Sequence, residues 1–342
     1  MRRTKIIATL GPKSWDLGII RIMILAGADV FRLNLSHVNL ESSFAFLANI
    51  IKLIRQLANE LNRPVEIMVD TPGHKFRLGQ LVERQVRLGD RLELTSTETP
   101  TDGLLPFPYN NYLAAMKVGQ EIIVGDGVPR FIVETEGSPN VVCRVSLAGD
   151  LKPGKGLTAR GLRIASLGLP HLTEQDQRGL QFAVDVGAEQ VVMSYGTSAL
   201  QMHHFIAAYR ALGGTGKALF KYELEEAGGD LPAIVEVSDG GFIGQGDLGL
   251  SIASESVPAE SAKVVRAFGQ SGKPCIIGTQ LLTSMLHHPF PAHGERAGIY
   301  YNVSISASGL MLSDETSVGE YPAEAVQVLA RLVSAAEKCF RS

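Results

Sequence analysis

Only three of the 342 residues are cysteine, and Cys143, Cys275 and Cys339 stand far apart. They offer neither a disulfide framework nor metal-ligand spacing, and they suit a reducing cytoplasm. Aromatic residues make up 6% of the chain, and neither sign of charge dominates: 32 Lys and Arg against 35 Asp and Glu give a formal charge of -3. That balance supplies no basic field for nucleic acid or an anionic membrane. Long hydrophobic runs are also missing. The apolar run after Lys5 ends within five residues at Gly11-Pro12-Lys13, too short for a signal-peptide core or a membrane span. The expectation is a soluble, cytoplasmic protein. What is present is an ordinary globular composition, 45% hydrophobic and 20% charged, long enough for a barrel of about 250 residues and a second small domain.

The pattern along the chain alternates. Lys5–Leu10, Ala28–Leu35 and Val65–Val69 read as short buried strands. The segments 16–25 and 39–62 read as helices, the second with Phe44, Leu47, Ile50, Ile51, Ile54 and Leu57 at three- and four-residue spacing. From Lys75 to Ser166 the helical period disappears, and β-rich runs (Arg91–Leu94, Glu121–Val124, Arg130–Glu134, Asn140–Val145) stand between Gly, Asp and Pro. Alternation resumes at Leu169, with strands at Gln190–Ser194, Ala218–Tyr222, Gly241–Gly244, Pro274–Gly278 and Gly309–Leu312, and helices between most of them. Eight strands around an insertion predict an α/β fold, a (β/α)8 barrel over 1–74 and 167–342 with a small β-barrel lid over 75–166.

Lys221 and Glu223 end one of these strands and Asp247 follows the next. In a parallel barrel all strands end at the same face, so one ammonium and two carboxylates would converge there. A divalent cation on Glu223 and Asp247 beside Lys221 is a device for stabilising a transferring phosphoryl group or an enolate. Taken alone, Lys-X-Glu is a weak signal, and a solvated charge pair on a strand end is the commoner origin of it.

Ordered motifs narrow the choice. Thr4-Lys5-Ile6-Ile7-Ala8-Thr9-Leu10-Gly11-Pro12, Val30-Phe31-Arg32-Leu33-Asn34-Leu35-Ser36-His37 and Asp70-Thr71-Pro72-Gly73-His74-Lys75-Phe76-Arg77 precede the Lys221/Glu223 pair. Gly246-Asp247-Leu248-Gly249, Gly278-Thr279-Gln280 and Leu312-Ser313-Asp314-Glu315-Thr316 follow it. Together they resemble the pyruvate kinase family over nearly the whole chain. The chain stops at Ser342, where the resemblance would place a C-terminal regulatory domain, so the expectation is a divergent, short member.

The resemblance implies a role for each matched residue. Glu223 and Asp247 would ligate Mg2+ (or Mn2+), and Lys221, Arg32 and Thr279 would be catalytic. Lys221 would stabilise the phosphoryl group in flight and the enolate left behind, while Arg32 would grip the phosphate. Gly246 and Asp247 would open a helical turn whose free N–H groups, with Thr279 and Ser313, hold the substrate acid. Pro12, His37, Arg77 and Lys155 would face the nucleotide. Asn34, Ser36, Asp70 and Thr71 match a monovalent-cation pocket. Lys75 stands where K+-dependent members carry glutamate, so its ammonium would lie beside Asp70 and K+ would not be required.

The implied partners are ADP or ATP and phosphoenolpyruvate, pyruvate or a related acid, in a homo-oligomer built through the barrel. Departures exist as well: Gln245 replaces a basic residue, and Ser194-Tyr195-Gly196-Thr197 lacks the arginine of the family segment. They keep open a relative acting on another 2-oxo or 2-hydroxy acid. A non-catalytic regulatory relative is the third reading, and the intact Lys221, Glu223, Asp247, Thr279 and Arg32 speak against it.

Overall fold

The computed structural model describes residues 2–37, 40–99, 103–137 and 139–340. Eight strands form a closed barrel: Lys5–Thr9, Val30–Asn34, Glu66–Asp70, Gln190–Met193, Lys217–Tyr222, Gly240–Gly244, Cys275–Gly278 and Gly309–Leu312, here the first to the eighth. Every neighbouring pair is parallel, and closure comes from the first strand meeting the eighth, with Lys5 opposite Gly309. The strands are short, four to six residues, and helices shield their outward faces. The result is continuous apolar runs rather than an exposed alternation.

Alternation matters inside the barrel. Ile7, Val30, Met68, Val192, Leu219, Phe242, Ile276 and Met311, one from each strand, pack together as a buried layer on the axis. Their sequence neighbours Ala8, Phe31, Val69, Phe220 and Ile243 point outward and join the core under the helices. Period two therefore returns the next inward positions to Thr9, Arg32, Asp70, Ser194, Lys221, Gly244, Gly278 and Ser313. The barrel thus carries an apolar layer and, toward the strand C-termini, a polar one.

The helices between the strands obey local rules. Asp16 caps Leu17–Ala26 by accepting from Ile19 N. Thr173 and Asp176 form a capping box at the start of Glu174–Asp185. The sequence pattern shows no helix between the fifth and sixth strands, yet Leu231–Val237 is one. Seven residues, with Pro232 in the first turn, are too few to display a 3.6-residue period.

Between the third and fourth strands the chain builds a six-stranded sheet. Its order is Leu157–Ala159, Glu121–Val124, Arg130–Thr135, Asn140–Leu147, Arg91–Thr95 and Leu104–Pro106, and Arg84–Val86 pairs separately with Gly149–Leu151. This sheet has its own core, including Leu94, Phe107, Leu113, Phe131 and Val145. Among the described residues no helix is long and apolar enough to cross a membrane.

Candidate active site

The polar layer is a connected network of buried groups. Arg32 donates from Nε to Asp70 Oδ2 at 2.9 Å and from Nη1 to Thr9 Oγ1 at 3.0 Å. Asp70 Oδ1 accepts from Ser194 Oγ at 2.6 Å, and Lys221 Nζ reaches Asp70 Oδ2 at 3.1 Å and Ser194 Oγ at 3.3 Å. Glu223, two residues beyond Lys221 on the same face, places Oε1 3.0 Å from that ammonium. Charges this deep survive only when paired. Burial alone would raise the Asp70 carboxyl, but the Lys221 and Arg32 charges and the hydrogen bonds from Ser194 and Arg32 hold it below the usual range. Burial would likewise lower Lys221, and Asp70 and Glu223 outweigh it and raise it.

Glu223 is the exception. Burial pushes it up to about 7; Lys221 opposes the rise, while Asp247 and Asp70 add to it. Its Oε2 accepts from the backbone N–H of Tyr195 at 3.0 Å, whereas Oε1 is buried without a hydrogen bond. Gly244 makes room for it, because a Cβ there would stand 2.9 Å from Glu223 Cγ and Oε1. Asp247 lies in the short helix Gln245–Ser251 that follows the sixth strand. Its Oδ1 accepts from the Tyr195 hydroxyl at 2.8 Å and from Lys75 Nζ at 3.2 Å. Burial would raise Asp247, but the Lys75 and Lys221 ammoniums and the Tyr195 hydrogen bond keep it low.

Lys221, Asp247, Gly246, Thr279, Arg32 and Ser313 line one cavity of about 360 Å3, which Asn34, Ser36 and Lys75 also border. A second cavity, about 670 Å3, opens between the barrel mouth and the inserted sheet, and Arg77 and Lys155 line it together with Lys75, Tyr195 and Asp247. Arg77 donates to Gly154 O and Ser36 O, and Lys155 faces Asp126 at 3.6 Å. Pro12 is exposed in the turn after the first strand and borders neither cavity. The side chain of His37 lies outside the described residues.

Two expectations need correction. The ammonium of Lys75 does not stand beside Asp70: it bonds Asp247 and lies 5.4 Å over the Tyr195 ring, while Arg32 and Lys221 are the cations at Asp70. A lysine expected at a carboxylate has moved to another, less buried one. Nor is the Gly246 N–H free for a substrate acid, since it donates to Thr279 Oγ1 at 2.8 Å. Thr279 and Gln280 adopt left-handed φ values of 71° and 57°, a kink that aims the threonine hydroxyl back at the neighbouring strand end. Of the proposed cation-pocket groups, Asn34 Oδ1 accepts from Ser36 N, and Thr71 Oγ1 donates to Val192 O.

Sequence reasoning noted Tyr195 only as a departure and gave Ser194, Asp314 and Glu315 no role. Glu315 is buried and its two oxygens accept from Leu282 N and Ser313 N, fixing the loops after the seventh and eighth strands. The signal for Ser194 was the period of two from Val192, which an inward-facing count would have found.

A closed parallel barrel carrying a sheet between its third and fourth strands, with its charges gathered at the strand C-termini, defines the class. The chain matches the family model described as "Pyruvate kinase, barrel domain" over residues 1–326 and belongs to the pyruvate kinase family. It is 32% identical over 344 residues to pyruvate kinase 2 of Synechocystis sp., covering 98% of this chain and 57% of that protein. It is 34% identical to pyruvate kinase of Methylorubrum extorquens, covering 98% of this chain and 69% of the relative. The pyruvate kinase of Agrobacterium vitis is 31% identical at similar coverage. The chain therefore spans between about half and two thirds of the length of these relatives.

Proposed function

We propose that the protein is a divalent-metal-dependent phosphotransferase that moves phosphoryl between phosphoenolpyruvate and ADP through an enolate. One observation carries this reading: a buried carboxylate oxygen without a hydrogen bond, Glu223 Oε1, in a network that also holds Lys221 and Asp247. Among the described residues no cluster of three or more His, Cys, Asp or Glu could hold a metal. Two carboxylates suit Mg2+, which keeps water and relies on substrate oxygens for its remaining ligands. Glu223 and Asp247 would hold Mg2+ or Mn2+, whose charge would offset that of the phosphate and enolate oxygens.

The residues supply the rest. Lys221, raised and paired, stays protonated and presents fixed positive charge where negative charge develops. Arg32 is locked to Asp70 and Thr9 and adds charge from the adjacent strand. Arg77 and Lys155 line the wider cavity and would meet nucleotide phosphates. The segment 75–166 is proposed as the lid over 1–74 and 167–342, and a pocket at Asn34, Ser36, Asp70 and Thr71 is proposed to work without K+. Support for the latter is that Arg32 and Lys221 already provide two cations at Asp70.

A second reading, action on another 2-oxo or 2-hydroxy acid, is favoured by the Gly246–Thr279 hydrogen bond and by Lys75 and Tyr195 at Asp247. One assay separates the two. With phosphoenolpyruvate, ADP and Mg2+ in tetramethylammonium buffer, steady pyruvate formation that K+ does not raise supports the main reading. Exchange of pyruvate methyl hydrogens for solvent deuterium without ATP-coupled turnover supports the second.

A further inference from the structure

We infer that Tyr195 is the positioning residue for both metal-site carboxylates, an inference that rests on the metal-dependent reading above. No other described residue hydrogen-bonds both Glu223 and Asp247. The Tyr195 backbone N–H donates to Glu223 Oε2 at 3.0 Å, and its phenol donates to Asp247 Oδ1 at 2.8 Å. Glu223 follows the fifth strand and Asp247 follows the sixth, so one residue after the fourth strand reaches across two neighbours.

The backbone shows how. Tyr195 has φ = +54°, a left-handed conformation that bulky residues rarely adopt. The kink follows Ser194, whose side chain still points inward to Asp70. The Tyr195 N–H meets Glu223, and the left-handed φ, a rotation about the N–Cα bond beyond that N–H, carries the ring toward Asp247. Gly196 then lets the chain leave, because a Cβ there would stand 2.5 Å from Met193 Cε and Phe220 Cε2. Strain held by its surroundings and aimed at two charged groups marks a site where geometry matters.

The consequence is a division of oxygens. Tyr195 holds one oxygen of each carboxylate, Glu223 Oε2 and Asp247 Oδ1. The other two accept no hydrogen bond among the described residues: Glu223 Oε1, whose close neighbour is the Lys221 ammonium at 3.0 Å, and Asp247 Oδ2. These are the oxygens left for a divalent cation. Lys75 adds a second effect: its ammonium shares Asp247 Oδ1 and sits over the Tyr195 ring. It places a positive charge beside the site that an incoming cation must face. Tyr195 thus favours metal binding by orienting its ligands, and Lys75 opposes it by charge. Removing a hydrogen bond that orients a ligand typically costs roughly 10–100-fold in metal affinity.

The test is Mn2+ binding to the nucleotide-free protein, read from the electron paramagnetic resonance of free Mn2+ and checked with Mg2+ by calorimetry. Tyr195→Phe keeps the ring and removes the hydroxyl. Its Mn2+ Kd is expected to rise about tenfold, with cooperative urea unfolding of the metal-free protein retained. Lys75→Met is expected to move the Kd the other way, tightening it severalfold. A Tyr195→Phe Kd within twofold of the unmodified protein overturns the inference alone, as does loss of cooperative urea unfolding in the metal-free variant, which marks a general structural role. Absence of divalent-cation binding by the unmodified protein overturns both this inference and the reading beneath it.

Discussion

Leu219 and Lys221 sit two residues apart on one face of one strand, and their surroundings could hardly differ more. Leu219 belongs to a ring of eight apolar side chains contributed by all eight strands. Lys221 belongs to the next ring, where Thr9, Arg32, Asp70 and Ser194 exchange hydrogen bonds and charge. Both layers belong to the same eight strands, although Ser194 and Ser313 of the upper one lie just past the strand ends and Ser313 is only half-buried. The lower layer is held by close packing, which tolerates exchange of one hydrocarbon for another of similar volume. The upper layer is held by charges that are each tolerable only because the others are present. The barrel therefore separates stability from chemistry along its axis within a single period of strand alternation.

The largest effect should come from breaking the upper layer at its centre. Asp70→Ala leaves the buried Arg32 without its carboxylate and Lys221 with only Glu223, and removing one partner of such a network costs about 3–5 kcal/mol. Ile276→Val, one layer below, should cost about 0.5–1.5 kcal/mol and leave activity intact. Urea denaturation of both variants checks the pair. Equal costs would mean that the polar layer is not the electrostatic unit its distances indicate.

The comparison also separates what was legible from what was not. Lys221, Glu223 and Asp247 could be placed because strands end together in a parallel barrel and because their motifs are long. The upper layer as a whole could not, since Thr9, Ser194 and Ser313 are residue types found anywhere, and only the closed barrel shows that they face one axis. The insertion was readable from its loss of helical period. Lys75 failed for a different reason: spacing fixes where its Cα stands, but its flexible stem lets the ammonium choose between Asp70 and Asp247. A lysine's partner is decided in space. Tyr195 was visible as a substitution, but its left-handed backbone was not, and that backbone carries its phenol to Asp247 while its N–H holds Glu223.

A smaller effect on stability and a large one on rate are expected at Lys221. Lys221→Met removes preorganised charge, for which typical losses are about 10²–10³-fold in turnover. Asp70 keeps Arg32 as a partner, so the variant should remain folded. Steady-state turnover with phosphoenolpyruvate and ADP, beside a thermal melt, tests this. A variant that melts many degrees lower while retaining its rate would place Lys221 in the structural layer after all.

The smallest effect sharpens the comparison through pH. Glu223 is held at about 7 mainly by burial, against an ordinary value near 4.5. Between those values the folded protein keeps a proton on Glu223 that the unfolded chain has already released. Fewer protons bound in the unfolded state means that stability falls as pH rises. Its contribution is therefore fully present below about pH 4.5 and is lost as pH climbs through about 7. From pH 5.5 to 7 the metal-free protein should lose roughly 1–2 kcal/mol from this group. Asp70 and Asp247 are held low, so they titrate below this window and leave the slope alone. Glu315 is also raised by burial, and a Glu223→Gln variant separates the two by removing only the Glu223 share. Saturating Mg2+ should flatten the slope in the unmodified protein, because a cation stabilises the ionised carboxylate and displaces its proton. An unchanged slope in Glu223→Gln would show that Glu223 ionises normally in the folded state. The Lys221 ammonium 3.0 Å away would then neutralise it fully, and the upper layer would be closed to a divalent cation at that oxygen.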